Sequence, residues 1–355
     1  MKACALVVGI NEYPPRAKLR TLYGAVADAV DFADWALDPQ GGNVAPDDLY
    51  FRTWPAPVNP PPAIAAYLAK PTMWPSGEPL RDQPTAAEIT QSIGDVVNDA
   101  QEREIGRIYI AFTGHGITID RRRNDERPQS CFMAGDYVAR YADGLVPCDD
   151  LQIGLERMGP AEVILIFDCC RTDLSPTITR PSFNWNNYNA LGYNQWGASA
   201  RAAVPGTLAF EIDEQTNPRG AFSRLLTFGL RHLRTDDELT TTQLEEYVNS
   251  RIGPLVHPRT QEPDITVWPP RRAYKLVQGP PLKPDLALNV TFQPASFGKT
   301  VLVRNYKLDT LAKIEASAAG WTGHFPVGKY SLEVPDERLS VPVAHFGPEP
   351  TDVTF

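Results

Sequence analysis

A chain of 355 residues with 43% hydrophobic content is long enough for one large domain plus a smaller one, each with its own core. A formal net charge of −9 argues against nucleic acid or an anionic membrane as the main partner, and no apolar run approaches the roughly 18 residues that span a bilayer. Five cysteines without regular spacing predict free thiols in a reducing, cytoplasmic setting and not a disulfide scaffold.

The first element is "ACALVVGI", a short continuous apolar run. It continues into "NEYPPR" without a small-residue cleavage site, so it reads as a first strand and not as a leader. "RIYIAF" (107–112) and "VILIF" (163–167) have the same texture, which suits strands buried on both faces of a parallel sheet. Amphipathic helices are expected between them. "GAVADAVDFADWAL" places Val26, Val30, Ala33 and Leu37 on one stripe, and "TAAEITQSIGDVVNDA" opens with a capping box from Thr85 to Glu88. Strands alternating with such helices predict an α/β fold, with helices covering a mainly parallel sheet.

Residues 172–205 are rich in Pro, Asn, Ser and Trp and read as a long loop. The pattern resumes with a strand in "GTLAFEI" and a helix in "GAFSRLLTFGLRHL", where Phe222, Leu225, Leu226 and Leu233 share a face. A helix over 244–252 and a strand in "DITVW" close a domain spanning 1–275. The segment "PPRRAYKLVQGPPLKPD" has five prolines in seventeen residues, and its stretch 276–285 is taken as a linker. From 286 to 355, "LALNVTF", "KTVLVRN" and "GKYSLEV" predict short strands of a small β-sandwich.

Sites on open parallel sheets form beyond the C-terminal strand ends. Two predicted strands end in reactive groups there: "AFTGHG", with His115 between two glycines, and "FDCC", with Asp168, Cys169 and Cys170. A histidine that takes the thiol proton makes such a cysteine a nucleophile toward a carbonyl. The amides of Gly116 and Cys170 are natural oxyanion donors. Without this context a cysteine pair would read as inert core thiols. A zinc site is not expected, because no C-x-x-C pair occurs and Cys4, Cys131 and Cys148 are scattered.

"VVGINEY", "GAVADAVDF", "YIAFTGHG", "LIFDCCR" and "EIDEQT" followed by "GAFSRLL" occur in that order over residues 1–275. In these stretches the chain resembles the caspase-like superfamily of cysteine peptidases, nearest its metacaspase and bacterial caspase-like branch. His115 precedes Cys170 by 55 residues, which also suits that family. The resemblance implies a caspase-like sheet, Cys170 as nucleophile and His115 as base, with Thr113 where the family carries serine in its S-G-H-G motif. It further implies that Asp28 and Asp168 line the pocket for the residue before the scissile bond (P1). Paired carboxylates accept a guanidinium in bidentate geometry, so cleavage after Arg, then Lys, is expected. Asp28 lies about 200° around the helix from Val26, off the apolar stripe. The sequence departs from the family at Arg171, where a histidine is usual. The acidic pattern that binds calcium in some metacaspases is not evident after Cys170, and no cofactor is expected.

The expected partners are protein substrates with Arg or Lys at the cleavage site and an activating protein, as in bacterial defence or cell-death systems that resemble this one. The β domain would be the regulatory or partner-binding module. Residues 208–213 are expected to run beside the substrate. Self-cleavage in the loop is expected at Arg201, because Arg180 precedes Pro181, and "RRRNDER" (121–127) reads as an exposed loop. Two other readings are a catalytically silent interaction module and an Asp-specific caspase-like protease. The intact His–Cys pair counts against the first, and acids at 28 and 168 count against the second.

Overall fold

The computed structural model describes the chain except residues 71–82, 120–127, 139–142, 159–160, 175–180, 182, 184, 186–195, 213–217, 235–236, 271–272, 281–285, 306, 326–327, 338, 346 and 348–349. It divides into two compact units, one of residues 1–230 and 238–279, the other of residues 231–237 and 280–355.

The larger unit is built on a six-stranded sheet. Its strands are β1 (Ala3–Ile10), β2 (Leu49–Trp54), β3 (Arg107–Thr113), β7 (Glu162–Asp168), β9 (Trp196–Arg201) and β13 (Asp264–Trp268), in the order β13-β9-β7-β3-β1-β2. All neighbours are parallel except the antiparallel edge pair β13–β9. A side sheet of β4 (Gly116–Ile119), β5 (Gln129–Val138), β6 (Asp143–Pro147) and β8 (Thr172–Leu174) branches from the end of β3.

The continuous apolar runs are explained by what covers each face. Leu6, Val8 and Ile10 of β1, with Ile110, Phe112, Leu165 and Phe167, pack against Ile89, Ile93, Val96 and Val97 of α3 (Ala86–Glu102) and Leu151 and Leu155 of α4 (Cys148–Met158). On the other face Tyr109, Ile164 and Ile166 meet Trp35 of α1 (Ala25–Leu37), Leu226 and Leu230 of α5 (Ala221–His232) and Leu244 of α6 (Thr241–Val256). The capping box forms as expected: Thr85 Oγ1 accepts from the Glu88 amide at 3.3 Å, and Glu88 Oε2 accepts from the Thr85 amide at 2.9 Å. A short helix α2 (Pro62–Leu68) follows β2.

Several expectations are corrected. Helix α1 is buried almost all round, not along one stripe: Ala29, Phe32, Trp35 and Ala36 join Val26, Val30 and Ala33 in the interior, and Asp28 is only 3% exposed. The "GTLAFEI" stretch supplies only the two-residue β10 (Glu211–Ile212), paired with β11 (Arg219–Gly220). The long loop contains β8 and β9, so it is not structureless at its ends. Arg201, the expected self-cleavage point, is 5% exposed on β9, where Asp149 and Gln152 hold its guanidinium. Arg180 and the 121–127 segment lie outside the described residues. The linker begins later than expected, because β14 (Lys275–Gln278) pairs with β12 (Glu238–Thr240) inside the larger unit.

From Leu286 on, the described residues of the smaller unit form two β-sheets. β15 (Leu286–Thr291), β18 (Trp321–Phe325) and β21 (Thr351–Thr354) form one sheet. β16 (Thr300–Asn305), β17 (Thr310–Glu315), β19 (Gly328–Val334) and β20 (Leu339–His345) form the other. Leu288 and Val290 from the first sheet share one core with Val301, Val303, Ile314 and Leu332 from the second, as in a sandwich.

Candidate active site

β1, β3 and β7 end flush, since Gly9 pairs with Thr113 and Thr113 with Asp168. A helix must come close to this row. A side chain on Gly9 would put its Cβ 2.6 Å from Ala29 Cβ, so only glycine lets α1 lie this near the sheet. Thr113 Oγ1 donates to the Ala25 carbonyl at 2.7 Å and fastens the start of α1 there. These contacts set Asp28 beside Asp168.

The narrow cleft above this row, with a volume of about 30 Å³, is lined by His115, Cys170, Asp28, Asp168, Thr113 and Glu211 among others. The sequence-based candidates therefore come together except Gly116. That residue is buried at the start of β4, where an added Cβ would lie 2.7 Å from Cys169 Sγ and from the Cys170 carbonyl.

His115 is held from two sides. Its Nε2 is 2.8 Å from the Arg20 carbonyl, which only accepts, so Nε2 carries the proton and Nδ1 is the basic nitrogen. Its backbone N–H donates to the Tyr13 hydroxyl at 2.9 Å. Burial holds the imidazole below its usual range, keeping it neutral and so able to accept a proton. Cys170 is half-buried and donates its S–H to the Ala209 carbonyl at 3.5 Å. Burial pushes this thiol up, so the resting sulfur is protonated. Cys169 points into the core and is pushed up further by burial, an inert neighbour.

Asp28 and Asp168 form the floor. Asp28 Oδ2 accepts from the Gly220 amide at 2.7 Å, and Asp168 Oδ2 accepts from the Ser223 amide at 3.0 Å. Both carboxylates crowd one point, because a Cβ on Gly220 would lie 2.3 Å from Asp168 Oδ2 and 2.8 Å from Asp28 Oδ2. Asp28 Oδ1 is buried without a hydrogen-bond partner; Arg219 Nε stands 3.9 Å from it but is turned to Asp31 at 2.9 Å. Burial, then the charge of Asp168, raises Asp28 well above the usual carboxylate range, and burial pushes Asp168 up to about 6.

Sequence reasoning missed Glu211 as a site residue. Its Oε1 accepts from the amides of Tyr23 and Gly24, at 2.8 and 2.6 Å, so it ties the short β10 to the start of α1 and adds a third acid to the cleft. The run "EIDE" carried the signal, but which of its acids faces the cleft depends on the β10–β11 pairing. Arg171, which departs from the expected histidine, is buried and structural: it donates to Ser130 Oγ at 2.7 Å and to the Ala203 carbonyl at 3.3 Å.

No helix among the described residues is long and apolar enough to cross a membrane. A probable protease from a Desulfuromonadales bacterium is 25% identical over 243 residues, covering 65% of this chain. The chain spans 26% of that relative's length. A solved structure of a protein from Geobacter sulfurreducens is 16% identical with a TM-score of 0.45, covering 75% of this chain and 93% of that one. The family profile of the caspase domain matches residues 2–274, a span that holds the whole cleft. With its sheet, its cleft and that match over most of its length, the chain belongs to the caspase domain family of peptidases.

Proposed function

We propose that the protein is a cysteine endopeptidase that cleaves after Arg, and less well after Lys, through a dyad of Cys170 and His115. The observation that carries the specificity is the buried pair Asp28–Asp168 lining the cleft, with Asp28 Oδ1 making no hydrogen bond and only a 3.9 Å ion pair with Arg219. A P1 guanidinium entering there meets acceptors on both carboxylates and replaces the proton that the empty pair retains. The shorter reach of its single ammonium group makes Lys the weaker substrate.

In the reaction, Nδ1 of His115 takes the thiol proton as Cys170 attacks the scissile carbonyl. The C–N bond breaks as the imidazolium returns that proton to the leaving amine, and water then hydrolyses the thioester. The Cys170 amide is the donor to the developing oxyanion; Gly116, expected to share that role, lies outside the cleft lining. The C-terminal β unit serves regulation or partner binding in this reading.

The test is cleavage of fluorogenic peptides with Arg, Lys or Asp at P1, comparing wild type with Cys170→Ala. Cleavage after Arg that disappears in the variant supports the proposal. Cleavage after Asp, or activity that survives loss of the thiol, overturns it.

A further inference from the structure

The strand pairing beside His115 contains an irregularity that the dyad alone does not explain. β4 and β5 pair antiparallel with Gly116 opposite Phe132, so His115 and Met133 are the next opposed pair. The Met133 amide donates to the His115 carbonyl at 2.9 Å, as a hydrogen-bonded pair requires. The reciprocal bond, from the His115 amide to the Met133 carbonyl, is replaced. The His115 N–H donates to the Tyr13 hydroxyl at 2.9 Å, and that hydroxyl donates to the Met133 carbonyl at 3.2 Å. One hydroxyl group is thus inserted into the ladder, opening a gap that a direct bond of about 2.9 Å would close.

The surroundings fit this insertion. Gly114 precedes His115 with φ +156°, and a Cβ there would lie 2.8 Å from the Tyr13 hydroxyl, so glycine leaves the space the hydroxyl occupies. The Tyr13 ring lies against the imidazole, with centroids 5.1 Å apart and planes tilted by 54°. Burial pushes the phenol up, which keeps it protonated and able to donate. Arg20, whose carbonyl holds the other end of the ring, belongs to the same loop after β1. One loop therefore grips His115 by its backbone, its ring face and its Nε2.

We propose that Tyr13 is a positioning residue for His115: its hydroxyl, inserted into the β4–β5 ladder, holds the histidine peptide away from Met133 and so sets where the imidazole stands relative to Cys170. This rests on the dyad proposed above. Without the hydroxyl the ladder closes directly, His115 shifts toward β5, and proton transfer from the thiol suffers while substrate binding in the acid pocket does not.

The test uses the full chain with Tyr13→Phe, and Gly114→Ala as a second variant that presses on the same hydroxyl. His115→Ala is the reference. The pH profile of Cys170 alkylation by iodoacetamide, located by peptide mass, reads the dyad without any substrate. Steady-state cleavage of an Arg-P1 peptide then separates kcat from KM. The expected result is an alkylation profile displaced toward that of His115→Ala, with kcat about 10- to 100-fold lower and KM within twofold of wild type. If His115→Ala leaves the profile unchanged, the dyad itself is wrong. If His115→Ala displaces it while folded Tyr13→Phe or Gly114→Ala tracks wild type in profile and kcat, the positioning role of Tyr13 is overturned.

Discussion

Replacing Asp168 with Asn separates what the acid pair does for folding from what it does for recognition. Asn is nearly isosteric, and its amide oxygen still accepts from the Ser223 amide that Asp168 Oδ2 meets at 3.0 Å. Burial raises Asp168 from 3.8 to about 6, which corresponds to about 3 kcal/mol. Because the folded value lies above the ordinary one, the protonated carboxyl favours the native state below the ordinary value. That contribution is lost as pH rises through about 6. Asp168→Asn has no such loss. The variant should match wild type in stability near pH 4 and exceed it by up to about 3 kcal/mol at pH 8. Recognition should move the other way. Losing one charge-assisted hydrogen bond to a P1 guanidinium costs about 1.5–3 kcal/mol, or roughly 10- to 150-fold in kcat/KM for Arg peptides. Urea unfolding at both pH values and peptide kinetics at pH 8 give the two numbers. A variant that is no more stable at pH 8, or that cleaves Arg peptides as fast as wild type, refutes the reasoning.

Other consequences are as direct. For wild type, kcat/KM on Arg peptides should climb as pH rises through about 6, where Asp168 loses its proton, and this limb should vanish in Asp168→Asn; a pH–rate series on both proteins checks it. Gly220→Ala places a methyl 2.3 Å from Asp168 Oδ2, forcing the carboxylates off their rotamers at a cost of about 1 kcal/mol or more. Arg cleavage should fall about tenfold, and denaturant titration should show the same loss of about 1 kcal/mol or more in stability. Arg201→Ala removes the guanidinium that Asp149 meets at 2.6 Å, leaving that carboxylate only the Ser130 amide, and should cost about 2 kcal/mol in denaturant titration. Since β9 buries Arg201, intact-mass analysis of wild type and Cys170→Ala should show no cut after that residue; a fragment ending there contradicts the placement.

Tyr23 is 67% exposed beside the cleft while its amide is held by Glu211, which illustrates how unevenly the site could be read from residues alone. The strands were legible because β1, β3 and β7 are covered on both faces, and that condition demands unbroken apolar runs. The capping box at Thr85 marked the start of α3 for a local reason, two reciprocal hydrogen bonds within four residues. His115 and Cys170 were legible because reactive side chains follow the C-terminal ends of parallel strands, and sequence marks where strands end.

What sequence did not determine is everything that depends on which surfaces meet. Helical phase placed Asp28 off the apolar stripe, yet β11 closes over it and buries it; a single helix does not reveal how many neighbours it will have. Glu211 enters the cleft through a two-residue strand pairing too short to leave a pattern. Arg201 looked like part of an open loop, and pairing with β7 and β13 turned it into core. The Tyr13 hydroxyl between His115 and Met133 joins residues 120 positions apart. Local sequence carries periodicity, caps and strand ends because these depend on neighbours within a few residues. Burial of a charge, the closeness of two carboxylates and the wedge in a ladder depend on distant segments, and only the folded chain brings those together.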